Sequence, residues 1–410
     1  MRLVANSTQV ACAVLLAISA VPSHAQEGES GRARTLLSSE LRDSLRRVLV
    51  RAVADSAFPG AFAVVGDSRG VLAEFGAGRL DWRPSPQPSE RTIWDLASLT
   101  KIIATTTALA QLVDRRQVEL DAPVQRYVPD WVGVNLESVT VRHLLTHTSG
   151  LPSFRPYDTL THHPDSLAML LFATPLERRP GERMVYSDIG AFMMGRIVER
   201  VSGLPLDRFV AQNISGPLHM RETMFKPPKT LLARIAPTEF DTLRGGLVRG
   251  IVHDERAYYL RGVAAHAGLF STGRDLARFA MMMLRKGTLD GAQVLRPETV
   301  ALFTAYADST FSNRGLGWQK PETAEMPYKT PASAWAGQFM SSRAYGHTGF
   351  TGTSIAIDPA LDLYIILLSN RVNPTRNNPR ISEVRRGLAD AVVSAVRRRR
   401  GLTMNAELRK

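Results

Sequence analysis

Apolar residues recur at helical spacing over 35–54, where Leu37, Leu41, Leu45, Val48, Leu49 and Ala52 share one face. Phe58-Pro59-Gly60 breaks the pattern. Residues 61–66 and 71–76 then read as two strands joined by Asp67-Ser68-Arg69-Gly70, a hairpin turn. Pro84, Pro86 and Pro88 mark a loop, and from 93 to about 305 helical patterns alternate with Pro- and Gly-containing loops. Two β-like runs return at 352–358 and 363–369 around Pro359-Ala360-Leu361-Asp362, and a last helix is predicted from about 381 to 400. Strands segregated from helices predict an α+β fold, an α/β sandwich. In it, 35–92 and 306–400 share one antiparallel sheet flanked by helices, 93–305 forms an inserted helical lobe, and 401–410 is a tail.

The N-terminal pattern differs. Arg2 precedes an apolar run of 12 residues, Val10 to Val21, too short for a bilayer span of ~20. Ser23-His24-Ala25 then ends in the small-x-small pattern of a signal peptidase site. An exported chain, periplasmic or extracellular, cleaved after Ala25 is expected, with 26–34 as a flexible polar lead. No later segment is long and apolar enough for a membrane helix.

Composition narrows the function classes. With 410 residues, 44% apolar and 22% charged, the chain is globular and large enough for more than one domain. Cys12 is the single cysteine, which excludes an intrachain disulfide and any Cys-based zinc cage. The net charge is +13, or +12 once Arg2 is removed with the leader. The densest basic run, Arg397-Arg398-Arg399-Arg400, falls at the end of the last predicted helix, where cations suit the helix dipole. It reads as a solvated helix end, with an anionic envelope surface as the alternative. Basic residues are not interleaved with aromatics, so nucleic acid is not an expected partner.

Three serines compete for chemistry. Gly66-Asp67-Ser68-Arg69-Gly70 is a literal G-x-S-x-G, but the chain after it reads as a strand, and a nucleophile elbow needs a helix there. Ser149 ends His143-Leu144-Leu145-Thr146-His147-Thr148-Ser149-Gly150. His143 and His147 have the spacing of zinc ligands, yet Leu144 stands where the zinc-protease glutamate would. A helix end closed by hydroxyl and imidazole hydrogen bonds is expected instead. The third, Ser98-Leu99-Thr100-Lys101, opens a helical run and places Lys101 one turn from Ser98. A serine hydroxyl needs an adjacent base, and a lysine serves if its surroundings lower its pKa. The helix N-terminus also offers N–H groups to a developing oxyanion.

Trp94-Asp95-Leu96-Ala97-Ser98-Leu99-Thr100-Lys101 resembles the nucleophile motif of the serine β-lactamase and penicillin-binding protein superfamily, in its class C-like branch. Tyr186-Ser187-Asp188 stands where that branch carries Tyr-x-Asn, and His347-Thr348-Gly349 where it carries Lys-Thr-Gly or His-Thr-Gly at the start of a strand. Segments 143–150 and 262–272 are also similar to that branch, and the resemblance spans roughly 38–400.

The resemblance implies a serine hydrolase without metal or cofactor, acting on a small ester or amide or on a peptidoglycan-derived peptide. Ser98 would be acylated, Lys101 would take its proton or orient the base, and Tyr186 would pass a proton to the leaving group. The oxyanion hole would be the backbone N–H groups of Ser98 and Phe350. Thr348 would offer its hydroxyl, and Gly349 a bare backbone against which substrate could lie. Asp188 replaces the usual amide and can only accept hydrogen bonds, so it is expected to pair with Lys101 and hold it charged. His347 replaces the lysine that often meets a substrate carboxylate and is largely neutral near pH 7. Both departures argue against efficient β-lactam hydrolysis and leave esterase, D-alanyl carboxypeptidase-like or transpeptidase-like activity open, with a hint toward esters or peptides lacking that carboxylate. The alternatives are a non-catalytic peptidoglycan-binding envelope protein and a hydrolase acting through Ser68. His253-Asp254-Glu255 is expected as a structural hydrogen-bond cluster or a cleft-lining loop, His162-His163 as a solvated pair, and Asn370-Arg371 as a loop bordering the site or capping a strand.

Overall fold

The computed structural model describes residues 24–307, 312–322 and 335–402, with side chains from residue 31 onward. Residues 1–23, which carry nearly all of the expected export signal, lie outside the described residues, as do 403–410 of the expected tail.

The chain opens with α1 (His24–Ala54), followed by the hairpin β1 (Gly60–Asp67) and β2 (Gly70–Gly78). A π-wound turn, Lys101–Thr106, runs into α2 (Thr107–Asp114), and α3 (Val141–Leu145), α4 (Asp188–Ser202), α5 (Glu255–Tyr259) and α6 (Gly273–Leu284) follow. The chain returns to the sheet with β3 (Tyr345–Thr348), β4 (Ser354–Asp358) and β5 (Leu363–Ser369) and ends in α7 (Ile381–Arg399). The five strands form one antiparallel sheet in the order β3-β4-β5-β1-β2. Ala61 pairs with Ser369 and Gly66 with Tyr364, so the two ends of the chain meet in the centre of the sheet.

Both sheet faces are covered, which explains why its strands carry apolar residues at consecutive positions. On β1 and β5, Phe62, Val64, Tyr364, Ile366 and Leu368 face α6 and the helical lobe. Ala61, Ala63, Val65, Leu363, Ile365 and Leu367 face α1 and α7. Leu41, Leu45 and Leu49 of α1 are fully buried there, each contributing about 1.5–3 kcal/mol relative to exposure.

Two expectations need correction. Residues 26–34 are not a flexible lead; they belong to α1. Arg34, in that stretch, forms an ion pair with the buried Asp67 of the β1–β2 turn, a partner that local polarity could not reveal. The basic run at the end of α7 is likewise not simply solvated. Arg398 and Arg399 each pair with Glu40 of α1 at 2.7 Å, and Arg397 donates to the Phe339 carbonyl at 2.8 Å. These arginines tie the first helix to the last. Among the described residues no helix is long and apolar enough to cross a membrane.

Candidate active site

Short β-segments aim the candidate nucleophile. Trp94–Asp95 pairs with Leu269–Ser271 in a small antiparallel sheet, and the chain then turns sharply through Ala97, whose φ of +46° is unusual for a residue with a side chain. The Asp95 carboxylate accepts from Ala97 N at 2.8 Å and from His253 N at 2.7 Å, which stabilises the turn. Sequence reading assigned no role to Asp95. Ser98 leaves this turn half-buried and enters the π-wound Lys101–Thr106 segment. There Thr105 Oγ1 donates to the Ala265 carbonyl at 2.7 Å, and Leu269 N donates to Thr100 Oγ1 at 3.1 Å.

Lys101 is buried. Its Nζ donates to Ser98 Oγ and to the His266 carbonyl, both at 3.0 Å, and lies 2.8 Å from Asp188 Oδ1. The other Asp188 oxygen accepts from Arg256 at 2.7 Å. Arg256 lies 3.8 Å from Asp254, and Asp254 Oδ1 is 3.0 Å from His266 Nε2. Lys101, Asp188, Arg256, Asp254 and His266 therefore form a closed circuit. Burial works against the Lys101 ammonium, but Asp188 and then Tyr186 outweigh it, so Lys101 holds its proton more tightly than an ordinary lysine. Burial likewise pushes the Asp188 carboxyl up, yet Lys101 and its other neighbours leave it below its ordinary value.

Tyr186 precedes α4. Ser187 caps that helix, accepting from Gly190 N at 3.0 Å. The Tyr186 ring lies 4.9 Å from Lys101 Nζ and 5.3 Å from the Arg314 guanidinium, and its hydroxyl is buried with no hydrogen-bond partner among the described residues. The His147 ring packs tilted against it at 4.7 Å and accepts the Ser187 N–H at 3.1 Å through Nδ1. His143 Nδ1 accepts from Thr140 N in a capping box. The expected imidazole closure of this helix is therefore corrected: His143 caps the start of α3, the Thr146 hydroxyl closes its end by donating to the Arg142 carbonyl at 2.8 Å, and His147 holds the Tyr186 loop.

His347 and Thr348 come from the end of β3, not from the start of a strand. His347 Nδ1 lies 2.8 Å from the Thr348 carbonyl, so Nδ1 carries the proton and Nε2 presents a lone pair. Burial, Arg314 and Lys101 hold its pKa well below the ordinary 6.5. Gly349 has a packing role besides the expected one. A Cβ there would stand 2.1 Å from Thr353 Oγ1 and 2.4 Å from the Leu96 carbonyl, so glycine lets β3 dock onto the nucleophile turn. Neither the Ser98 nor the Phe350 backbone N–H donates to another group among the described residues. Ser98, Tyr186, His347, Thr348, Gly349 and Phe350 all line one cleft of about 520 Å³.

Other candidates fall elsewhere. Ser68 Oγ donates to Asp362 at 3.1 Å in the β1–β2 turn, away from the cleft lining. Ser149 is buried, its hydroxyl accepting from Leu151 N at 3.3 Å. His253-Asp254-Glu255 is a hydrogen-bond cluster: His253 meets Glu239 at 3.0 Å, and Asp254 caps α5. His162 stacks on Tyr259 at 4.2 Å. Arg371 lines the cleft, whereas the Asn370 amide caps the Leu80 and Pro237 carbonyls.

A family model described as Beta-lactamase matches residues 45–389. The chain belongs to the Beta-lactamase family. That family consists of serine hydrolases, and its fold is the antiparallel sheet with a helical lobe described above. This family member is 35% identical over 367 residues to a Bacillus subtilis (strain 168) protein named N-acetylmuramyl-L-alanine amidase, covering 80% of this chain and 81% of the relative. It is 34% identical over 325 residues to an Escherichia coli (strain K12) protein named "Putative D-alanyl-D-alanine carboxypeptidase", covering 71% and 73%. Its fold matches a penicillin-binding protein homologue from Caulobacter crescentus with a TM-score of 0.68 at 20% identity, over 87% of this chain and 97% of that one.

Proposed function

We propose that the chain hydrolyses an amide or ester through an acyl-enzyme on Ser98, with Tyr186 as the proton-transfer group and Lys101 as a fixed cation. The observation that carries this is the contact of Lys101 with both Ser98 Oγ at 3.0 Å and Asp188 at 2.8 Å. An ammonium held by a carboxylate donates to the serine oxygen and does not accept its proton. The base is then Tyr186 acting as a phenolate, its ring 4.9 Å from Lys101 Nζ and 5.3 Å from the Arg314 guanidinium.

In this scheme the phenolate takes the Ser98 proton as Oγ bonds to the carbonyl carbon. The oxyanion meets the N–H groups of Ser98 and Phe350, both free of other acceptors among the described residues. Collapse breaks the bond to the leaving group, which receives the proton from Tyr186. Water then attacks the ester with its proton passing to Tyr186, and the departing Ser98 oxygen is reprotonated. The names of the two curated relatives, both referring to alanine amides, support a peptidoglycan-derived peptide as substrate. They also support an envelope location, as does the leader read at residues 1–25.

The test is hydrolysis of a D-alanyl-D-alanine peptide and of meta-acetoxybenzoate by wild type and Ser98→Ala. The reading expects turnover of at least one by wild type and loss of that turnover in Ser98→Ala with the fold intact by circular dichroism. Retained hydrolysis in Ser98→Ala overturns it in favour of another nucleophile such as Ser68, and no hydrolysis by wild type overturns it in favour of the peptidoglycan-binding alternative.

A further inference from the structure

His253-Asp254-Glu255 has no part in the reaction as described, yet its first residue touches both sides of the oxyanion site. The His253 backbone N–H donates to Asp95 Oδ2 at 2.7 Å. The other oxygen of that carboxylate accepts from Ala97 N at 2.8 Å, one residue before Ser98. The His253 imidazole lies stacked on the ring of Phe350, with centroids 5.8 Å apart and planes 25° apart. Ser98 and Phe350 are the two residues whose N–H groups meet the oxyanion in the proposed reaction.

His253 is itself held from behind. It is buried, and its Nε2 lies 3.0 Å from Glu239 Oε2. A carboxylate only accepts, so Nε2 carries the proton. Glu239 also accepts from Arg376 N at 2.9 Å and from Arg376 Nε at 2.7 Å, and Glu255 pairs with the same guanidinium. Glu239, Glu255 and Arg376 are not part of the cleft lining. The plane of the imidazole is therefore fixed by groups outside the cleft.

Phe350 needs such a support. Gly349 and Gly352 flank its loop, the second at a φ of +116°, and Phe350 is 48% exposed. Thr351 Oγ1 donates to the Asp95 carbonyl at 2.8 Å and Thr353 Oγ1 to the Leu96 carbonyl at 3.0 Å, which ties the loop to the nucleophile turn at later positions. At Phe350 itself the restraints act on the ring and the carbonyl. His253 packs on the ring, the Arg371 guanidinium lies 4.4 Å from it, and Arg371 Nε donates to the carbonyl at 2.8 Å. A packed ring limits the backbone rotation that would turn the N–H away from the cleft.

We infer that His253 is a positioning residue for the oxyanion hole: its backbone holds Asp95 and its ring holds Phe350, and together they set the spacing of the Ser98 and Phe350 N–H groups. The inference rests on the proposed acyl-enzyme reading, which makes those two groups the oxyanion donors. Fixed donors act where charge develops, so a displaced donor weakens transition-state binding and spares substrate binding.

The test uses two replacements that separate the contacts of the side chain. His253→Gln keeps a donor within reach of Glu239 and loses the flat ring. His253→Phe keeps a ring against Phe350 and takes that donor from Glu239. The expected result is a kcat for meta-acetoxybenzoate roughly tenfold to hundredfold lower in His253→Gln, with KM nearly unchanged. Affinity for phenylboronic acid falls by a similar factor, because Ser98 Oγ adds to boron, passes its proton to Tyr186 and leaves a tetrahedral boronate with an oxygen at the oxyanion position. Calorimetric affinity for meta-acetoxybenzoate in a Ser98→Ala background stays the same when His253→Gln is added. His253→Phe melts lower than His253→Gln but keeps more kcat and more boronate affinity. Asp95→Asn, which gives up one of two accepting oxygens, shows the same split between boronate and substrate, and decides the matter if His253→Phe does not fold. Activity that follows melting temperature across the variants, or wild-type boronate affinity in folded His253→Gln, overturns the inference. Wild type that neither turns over substrate through Ser98 nor binds the boronate overturns the acyl-enzyme reading and the inference with it, a result told apart by the failure of the wild type itself.

Discussion

Asp188 lies 2.8 Å from Lys101 at the position where the family motif carries an amide. That contact changes which groups can act as bases. An asparagine would leave the lysine ammonium to burial, which favours its neutral form. The carboxylate instead holds it charged, and Arg256 and the His266 carbonyl complete its surroundings.

Asp188→Asn should therefore lower the pKa of Lys101. If the ammonium is the active form, the alkaline limb of the kcat/KM profile moves to lower pH in this variant. An unmoved limb would remove Lys101 from the titration. The same change leaves Arg256 without its closest carboxylate, and should cost about 3 kcal/mol of stability in urea denaturation.

Gly349→Ala separates two explanations of that glycine. Its Cβ would collide with Thr353 and Leu96, so the variant should lose roughly 1–3 kcal/mol of stability along with activity. A variant with wild-type melting and a raised KM alone would return the glycine to the substrate-clearance role.

Acid stability should depend on Glu239. Burial pushes its carboxyl up, but hydrogen bonds from His253 and Arg376 bring it down from 4.5 to about 2. A depressed folded-state pKa means that its contribution is complete above the unfolded value of 4.5 and is lost as pH falls toward 2. Glu239→Gln should lose less stability than wild type over that window in urea titrations at stepped pH. Parallel slopes for the two proteins would contradict the assignment.

Much of this site was legible in sequence because its parts are local signals. Ser98 and Lys101 are one turn apart, Tyr186 sits two residues before Asp188, and His347-Thr348-Gly349 is contiguous. The central strands were legible because β5 and β1 are apolar runs bounded by turn residues. What local pattern did not carry is pairing across the fold. The Asp254–His266 and Arg256–Asp188 contacts, the tie from Asp95 to His253, and the Glu40 pairs with Arg398 and Arg399 join segments that approach only after folding.

The most direct test of the account is acid-quenched mass spectrometry during turnover of meta-acetoxybenzoate, followed by peptide mapping. The account predicts a single acetyl group on Ser98 in the wild-type protein and none in Ser98→Ala. An acetyl group on Ser68 or Ser149, or turnover with no Ser98 adduct and full activity in Ser98→Ala, would contradict it.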